Sequence, residues 1–196
     1  MFIVFEGGSG SGKGAQIQLL AEALRQRGYQ TEIVSMLDST EVGRGVREIT
    51  SKVPHGQLGH LNEALLFLAA IGHAMSLIFR VPKGAVAIAD RFVWSTIAYQ
   101  GYGGGVSLDF LEDLAATVIG DVWPDLTIYL DIPPSEGLAR HSQTGQEHFA
   151  QPDFRSMVRN GYLAMAKQSN WLVIDATKSA EKVHEEVLKK VLSLLS

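Results

Sequence analysis

Apolar positions change their period several times along the 196 residues. Phe2-Ile3-Val4-Phe5 is a wholly apolar run that ends at glycines, as a central strand covered on both faces requires. From Gln16 to Gln26 the residues Ile17, Leu19, Leu20 and Leu24 recur at helical spacing among small alanines, and Gly28 stands just beyond as a stop. Thr31 to Met36 predicts a second strand. Leu61 to Phe79 predicts a long helix, broken by Gly72 and ended near Pro82. Further strands are predicted at Ala85-Val86-Ala87-Ile88-Ala89, Leu126 to Leu130 and Trp171 to Ile174, with helical patterns between them. From Ala180 onward, Val183, Val187, Leu188, Val191, Leu192 and Leu195 line one stripe of an amphipathic helix. Short buried-type runs alternating with helices imply an α/β domain, because parallel neighbours need crossover helices on both faces of the sheet. Gly101 to Gly105 reads as a glycine-rich loop. No repeat or linker interrupts the chain, so the expectation is one domain over residues 1–196. The polar stretch Arg140 to Gln151 has few apolar anchors and is the lid candidate, over about 140–152.

Composition narrows the function classes. Hydrophobic residues are 46% and charged residues 19%, enough apolar material for a core and too little charge for a disordered chain. The formal net charge of −4 disfavours a protein that holds a nucleic-acid polymer by blanket phosphate neutralisation. With no cysteine, a disulfide scaffold, a thiolate zinc site and a cysteine nucleophile are all excluded. The opening MFIVFEGG has no cationic n-region, and no uninterrupted apolar run approaches the roughly 20 residues of a membrane span. A cytoplasmic globular protein without a membrane partner is the expectation.

The chemistry is concentrated where the first strand meets the first helix. Gly7-Gly8-Ser9-Gly10-Ser11-Gly12-Lys13 matches the G-x-x-x-x-G-K core of a phosphate-binding loop. Glycines let the backbone curl so that several N–H groups point inward, and the helix N-terminus adds partial positive charge. Lys13 reaches the outer phosphates as a point charge. Gly14 occupies the position where a hydroxyl ordinarily ligates Mg²⁺. Gly7 to Gln16, GGSGSGKGAQ, resembles the loop of adenylate and UMP/CMP kinases, which share that glycine but follow it with a phosphate-contacting threonine where this chain has Ala15, a loss that weakens the grip without abolishing it. Asp90 and Arg91 end the third apolar strand. In an open α/β sheet that end faces the ligand crevice, where the carboxylate can orient a Mg²⁺ shell and the guanidinium can clamp phosphate.

Asp90 to Gly103, DRFVWSTIAYQGYG, resembles the D-R-[YF]-x-x-S-x-x-A-Y-Q-G-Y-G segment of thymidylate kinases. Glu63-Ala64-Leu65-Leu66-Phe67, Pro124 to Asp131, Pro133-Pro134, Gly137 to Arg140 and Val158 to Leu163 are similar to the same family in order and spacing. The resemblance implies a three-layer P-loop nucleoside-monophosphate kinase fold: a five-stranded parallel sheet, helices on both faces and a short lid. It implies transfer of the γ-phosphoryl of ATP, with Mg²⁺, onto dTMP, and commonly a homodimer. On the matching positions it gives Gly7, Gly8, Ser9, Gly10, Ser11, Gly12, Lys13, Gly14 and Ala15 to ATP. Asp90 goes to the acceptor or, through water, to the metal, and Arg91 bridges acceptor and transferred phosphate. Phe67 stacks on the acceptor base with Gln100 near its edge, and Ser95 and Tyr99 complete the acceptor site. Arg140 is the lid cation, and Ala176-Thr177-Lys178 borders the adenine. His141 and His148 read as solvated.

Four positions depart from the family pattern. Its phosphate-loop carboxylate falls at Ser9 and its hydroxyl after the lysine at Gly14; its acceptor-phosphate arginine falls at Asp38 and its base-reading arginine at Ile71. Ile71 would offer the base an apolar wall, and Arg44 or Arg47, flanking an expected helix start, are the candidates to replace the lost cation. Three readings therefore stand: a divergent kinase for dTMP or a related acceptor, a nucleotide-binding protein of kinase descent that no longer transfers phosphate, and a kinase for a non-nucleotide acceptor.

Overall fold

Alternation along the first strand decides the layers. In the computed structural model, which describes residues 1–54, 57–142 and 152–195, β1 (Phe2–Gly7) sends Ile3 and Phe5 to one face and Phe2 and Val4 to the other, all of them buried. The following elements are α1 (Lys13–Arg25), β2 (Thr31–Ser35), α2 (Glu41–Lys52), α3 (His60–Ile78), β3 (Val86–Asp90) and α4 (Val93–Thr96). After them come α5 (Leu108–Ile119), β4 (Leu126–Asp131), α6 (Pro134–Ser142), α7 (Pro152–Ser169), β5 (Leu172–Asp175) and α8 (Ala180–Leu195).

The strands pair in parallel in the order β2-β3-β1-β4-β5. The chain fills the sheet on one side of β1 and then on the other, so the crevice opens at the carboxyl end of β1. On one face Ile17, Leu20 and Leu24 of α1 and Val183, Val187 and Val191 of α8 pack on Ile3, Phe5, Ile88 and Ile128. On the other, Leu68, Ile71 and Met75 of α3 and Ala115 and Ile119 of α5 pack on Phe2, Val4, Ala87 and Ala89. A third cluster, with Ala64, Ile97, Tyr129, Val158 and Tyr162, ties α7 to the end of the sheet. The strands run to Asp90, Asp131 and Asp175, so three of them end in a carboxylate on the crevice side.

Three local expectations change. Gly72 does not break α3, which runs through it. A Cβ there would come within 2.8 Å of Val118 Cγ1, so the glycine serves the close approach of α5. The glycine-rich stretch is a loop only in its last two residues: Ile97–Gly103 winds as a π-helix, and Gly104 and Gly105 follow it outside any element. Its glycines are packing positions, because a Cβ at Gly103 would meet the Phe154 ring at 2.8 Å and one at Gly104 would strike His60. Arg44 and Arg47 lie inside α2, whose N-cap is Thr40, with Oγ1 accepting from the Gly43 N–H at 3.0 Å. Arg140 sits on α6. Residues 143–151 of the lid candidate, His148 among them, and the His141 side chain fall outside the described residues. The 19-residue α3 is long and apolar enough by length and composition to cross a bilayer, with a mean hydropathy of 1.6. It carries the buried Glu63 and packs on the sheet through Leu68, Ile71 and Met75.

Candidate active site

The loop between β1 and α1 takes its shape from backbone that only glycine adopts readily. Gly10 has φ +77° and Gly12, the N-cap of α1, φ +83°. A Cβ at Gly10 would collide with the Gly137 carbonyl, and one at Gly137 would sit 2.5 Å from the Ser9 carbonyl oxygen, so the loop rests directly on the first turn of α6. Lys13 folds back over the loop and donates from Nζ to the Gly7 carbonyl oxygen at 2.9 Å. Burial pushes its ammonium down to about 7; the Arg91 guanidinium adds to the fall, while Asp90 and Glu6 oppose it.

Arg91 has φ +70°, a left-handed conformation that costs a non-glycine residue about 1–2 kcal/mol. Backbone bonds on both sides hold it there. The Arg91 N–H donates to the Phe5 carbonyl at 3.0 Å, and the next N–H, that of Phe92, donates to Glu6 Oε1 at 2.9 Å. The Arg91 side chain donates from Nη1 to Ser95 Oγ at 2.9 Å and Tyr162 OH at 3.4 Å, and its guanidinium lies 5.6 Å from the Tyr99 ring centroid. Both hydroxyls in turn donate to Glu6 Oε2, Ser95 at 2.7 Å and Tyr162 at 3.0 Å, and their oxygens lie 2.9 Å from each other. Glu6 is fully buried. Burial pushes its carboxyl up, against the pull of Arg91 and the Ser95 and Tyr162 hydrogen bonds. Sequence reasoning missed Glu6; its signal was a lone carboxylate closing an apolar strand immediately before the glycines.

Lys13, Asp90 and Arg91 line one groove with the loop residues Gly8 to Ala15. Asp90 Oδ1 is buried there without a hydrogen-bond partner among the described residues. A second pocket adjoins it, lined by Ser9, Tyr99, Tyr129, Arg155, Arg159 and Tyr162, among others. At its edge Arg159 holds Asp131 bidentately, both bonds at 2.8 Å, which pins α7 to the end of β4. A polyanion fits the first groove, and a phosphate bridging the two cavities would meet Arg91.

Comparison with known proteins agrees. The Thymidylate kinase family profile matches residues 5–187. The chain belongs to the thymidylate kinase family. It is 39% identical over 197 residues to the thymidylate kinase of Pelotomaculum thermopropionicum, covering 96% of this chain and 91% of that protein. It is 32% identical over 213 residues to that of Nitratidesulfovibrio vulgaris, covering 100% and 98%. The crystal structure of thymidylate kinase from Ehrlichia chaffeensis superposes with a TM-score of 0.78 at 32% identity, over 97% of this chain and 98% of that one.

Against the thymidylate kinase pattern, the divergent positions have plain structural fates. Asp38 points to Arg47, with Nε 2.7 Å from Oδ1, and Arg44 Nη1 donates to the Asp38 carbonyl, so both candidate replacement cations are engaged with Asp38. Ile71 is a core residue of α3 rather than a wall for a base. Phe67 is half-buried and outside the three buried clusters. Gln100 is 1% exposed and donates from Nε2 to Glu63 at 3.1 Å, which binds the π-helix to α3 and leaves its Oε1 without a partner among the described residues. Arg140 donates to the Ala176 carbonyl at 2.9 Å, on the loop after β5 rather than over the phosphate groove. No cluster of three metal-ligating side chains exists among the described residues. Nucleotide-bound Mg²⁺ needs none, since it takes one or two carboxylates, waters and the substrate's own phosphates. The unpartnered Asp90 Oδ1 fits that demand.

Lys13 generates a pH-dependent expectation. A triphosphate favours the charged amine, so ATP binding at pH 8 should take up a proton and affinity should fall between pH 7 and 9, read by calorimetry in buffers of different ionisation enthalpy. Between about pH 7 and 10.5 the native state holds fewer protons on this group than the unfolded chain, so the buried ammonium opposes folding most fully below pH 7. Lys13→Met should therefore lose ATP binding while the unliganded protein melts at or above the wild-type temperature at pH 6.5. A lower melting temperature would contradict this.

Proposed function

We propose that the protein transfers the γ-phosphoryl group of ATP to dTMP, giving dTDP and ADP, as a cytosolic enzyme using Mg²⁺. The observation that carries this reading is the convergence of Lys13 and Arg91 on one groove, each held by a residue at the end of β1. Phosphoryl transfer asks for positioning and charge neutralisation more than for covalent chemistry. The loop amides and Lys13 hold the donor phosphates, and Arg91 neutralises the group in transit. Asp90 holds the metal's water shell or polarises the acceptor. Bound Mg²⁺ supplies neutralisation of the donor phosphates. Tyr99, Ser95 and the pocket above α7 take the acceptor, with Phe67 against its base. Arg140 and the Ala176–Thr177 carbonyls border the adenine side of a single-domain enzyme.

Loss of the two family arginines sets the rate. Each hydrogen bond to a charged group contributes about 1.5–3 kcal/mol, so their absence slows transfer to dTMP by about 10²–10⁴. The pairing of Asp38 with Arg47 favours a second reading, nucleotide binding without transfer. Coupled ADP release with Mg·ATP and a panel of nucleoside monophosphates separates the two. Slow turnover with dTMP, lost at least 100-fold further in Asp90→Asn, is expected, and ATP binding with no turnover on any acceptor would leave only the second reading.

The homodimer is part of the same proposal. Val42 and Ile49 on α2 and Leu61 and Leu65 on α3 are exposed, and these two helices pack together. Sedimentation should give a dimer that Leu65→Glu converts to a monomer; a wild-type monomer at micromolar concentration would remove this part.

A further inference from the structure

We infer that Glu6 is a positioning residue for phosphoryl transfer, one that aims Arg91 through the hydroxyls of Ser95 and Tyr162. The inference rests on the kinase reading above. An ionised carboxylate only accepts hydrogen bonds, and three donors converge on this one: the Phe92 N–H on Oε1, and Ser95 Oγ and Tyr162 OH on Oε2. Each hydroxyl has a single proton. With both protons turned inward to Glu6, the two oxygens, which lie 2.9 Å apart, present lone pairs to each other and to Arg91 Nη1, which donates to both and bridges them. Burial and Glu6 push the Tyr162 phenol well above its usual range, so it stays a donor.

This arrangement does something a direct ion pair would not. A carboxylate facing Arg91 would take the guanidinium's paired donors for itself. The relay engages Nη1 alone, and among the described residues no acceptor takes Nη2 or Nε. Those donors are left for phosphate. Glu6 thereby secures both the strained backbone of Arg91, through the Phe92 N–H, and the direction of its side chain.

A packing role and an aiming role part company at Glu6→Gln, which keeps shape and volume. The amide can still accept from the Phe92 N–H, but its NH₂ faces the two hydroxyls and turns their protons toward Arg91. With Mg·ATP and dTMP, Glu6→Gln should lower kcat about 10- to 150-fold, the range of a lost hydrogen bond to a charged group, with the KM for ATP within about twofold of wild type. Tyr162→Phe should lower kcat alone and yet add less than about twofold in the Glu6→Gln background, because both act on the same guanidinium. A kcat for Glu6→Gln within about threefold of wild type, or full multiplication of the two effects, would overturn the inference. If Glu6→Gln does not fold, judged by near-ultraviolet circular dichroism, Ser95→Ala and Tyr162→Phe carry the test: each must lower kcat, and either being silent overturns it. A wild-type protein without turnover sinks the kinase reading instead. In that case pyrophosphate binding decides, with an affinity about tenfold lower in Glu6→Gln expected and an equal affinity contradicting the role.

Discussion

The site depends on two consecutive residues at the carboxyl end of β1. The Gly7 carbonyl receives the Lys13 ammonium, and the Glu6 carboxylate receives the hydroxyls that hold Arg91. Two cations are thus fixed across one groove by a central strand whose neighbours on both sides, β3 and β4, are themselves buried. A strand so enclosed cannot shift without disturbing both faces of the core, which makes it a rigid base for groups whose spacing must match a phosphate chain.

That rigidity has an electrostatic cost. Lys13 and Arg91 repel each other, burial lowers the lysine to about 7, and burial likewise opposes the charge of Glu6. An apolar residue at position 6 would suit the fold alone better, since desolvating a charge usually exceeds what its pairing returns. The tension is relieved when a polyanion enters between the cations. A resting site that is electrostatically strained, and a ligand that relieves the strain, are what selective phosphate binding requires.

The sheet was legible in the sequence because each strand is a short apolar run bounded by polar or glycine residues, and the loop was legible because its glycines and lysine are contiguous. Glu6 was not, for a reason of range: its partners lie 86, 89 and 156 residues away, and no local pattern announces them. Gly101, Gly103 and Gly104 suggested a loop, but glycine also permits close packing, and here it brings a π-helix against α7 and α3. Gly72 misled for the same reason. Gln100 and Ile71 lie on helices where sequence spacing gives a face but not its depth, and both proved buried. The departures from the family at Asp38 and Ile71 were visible as residues, whereas the pairing of Asp38 with Arg47 was visible only in three dimensions.

The most direct measurement is a crystal structure with a non-hydrolysable ATP analogue and dTMP bound together. Lys13 Nζ should exchange the Gly7 carbonyl for a donor phosphate oxygen at about 3 Å, while Arg91 keeps Ser95 and Tyr162 on Nη1 and meets phosphate through its remaining nitrogens. Phosphates bound outside this groove, or Arg91 detached from Ser95 and Tyr162 when they arrive, would contradict the view that the end of β1 holds both cations in place for transfer.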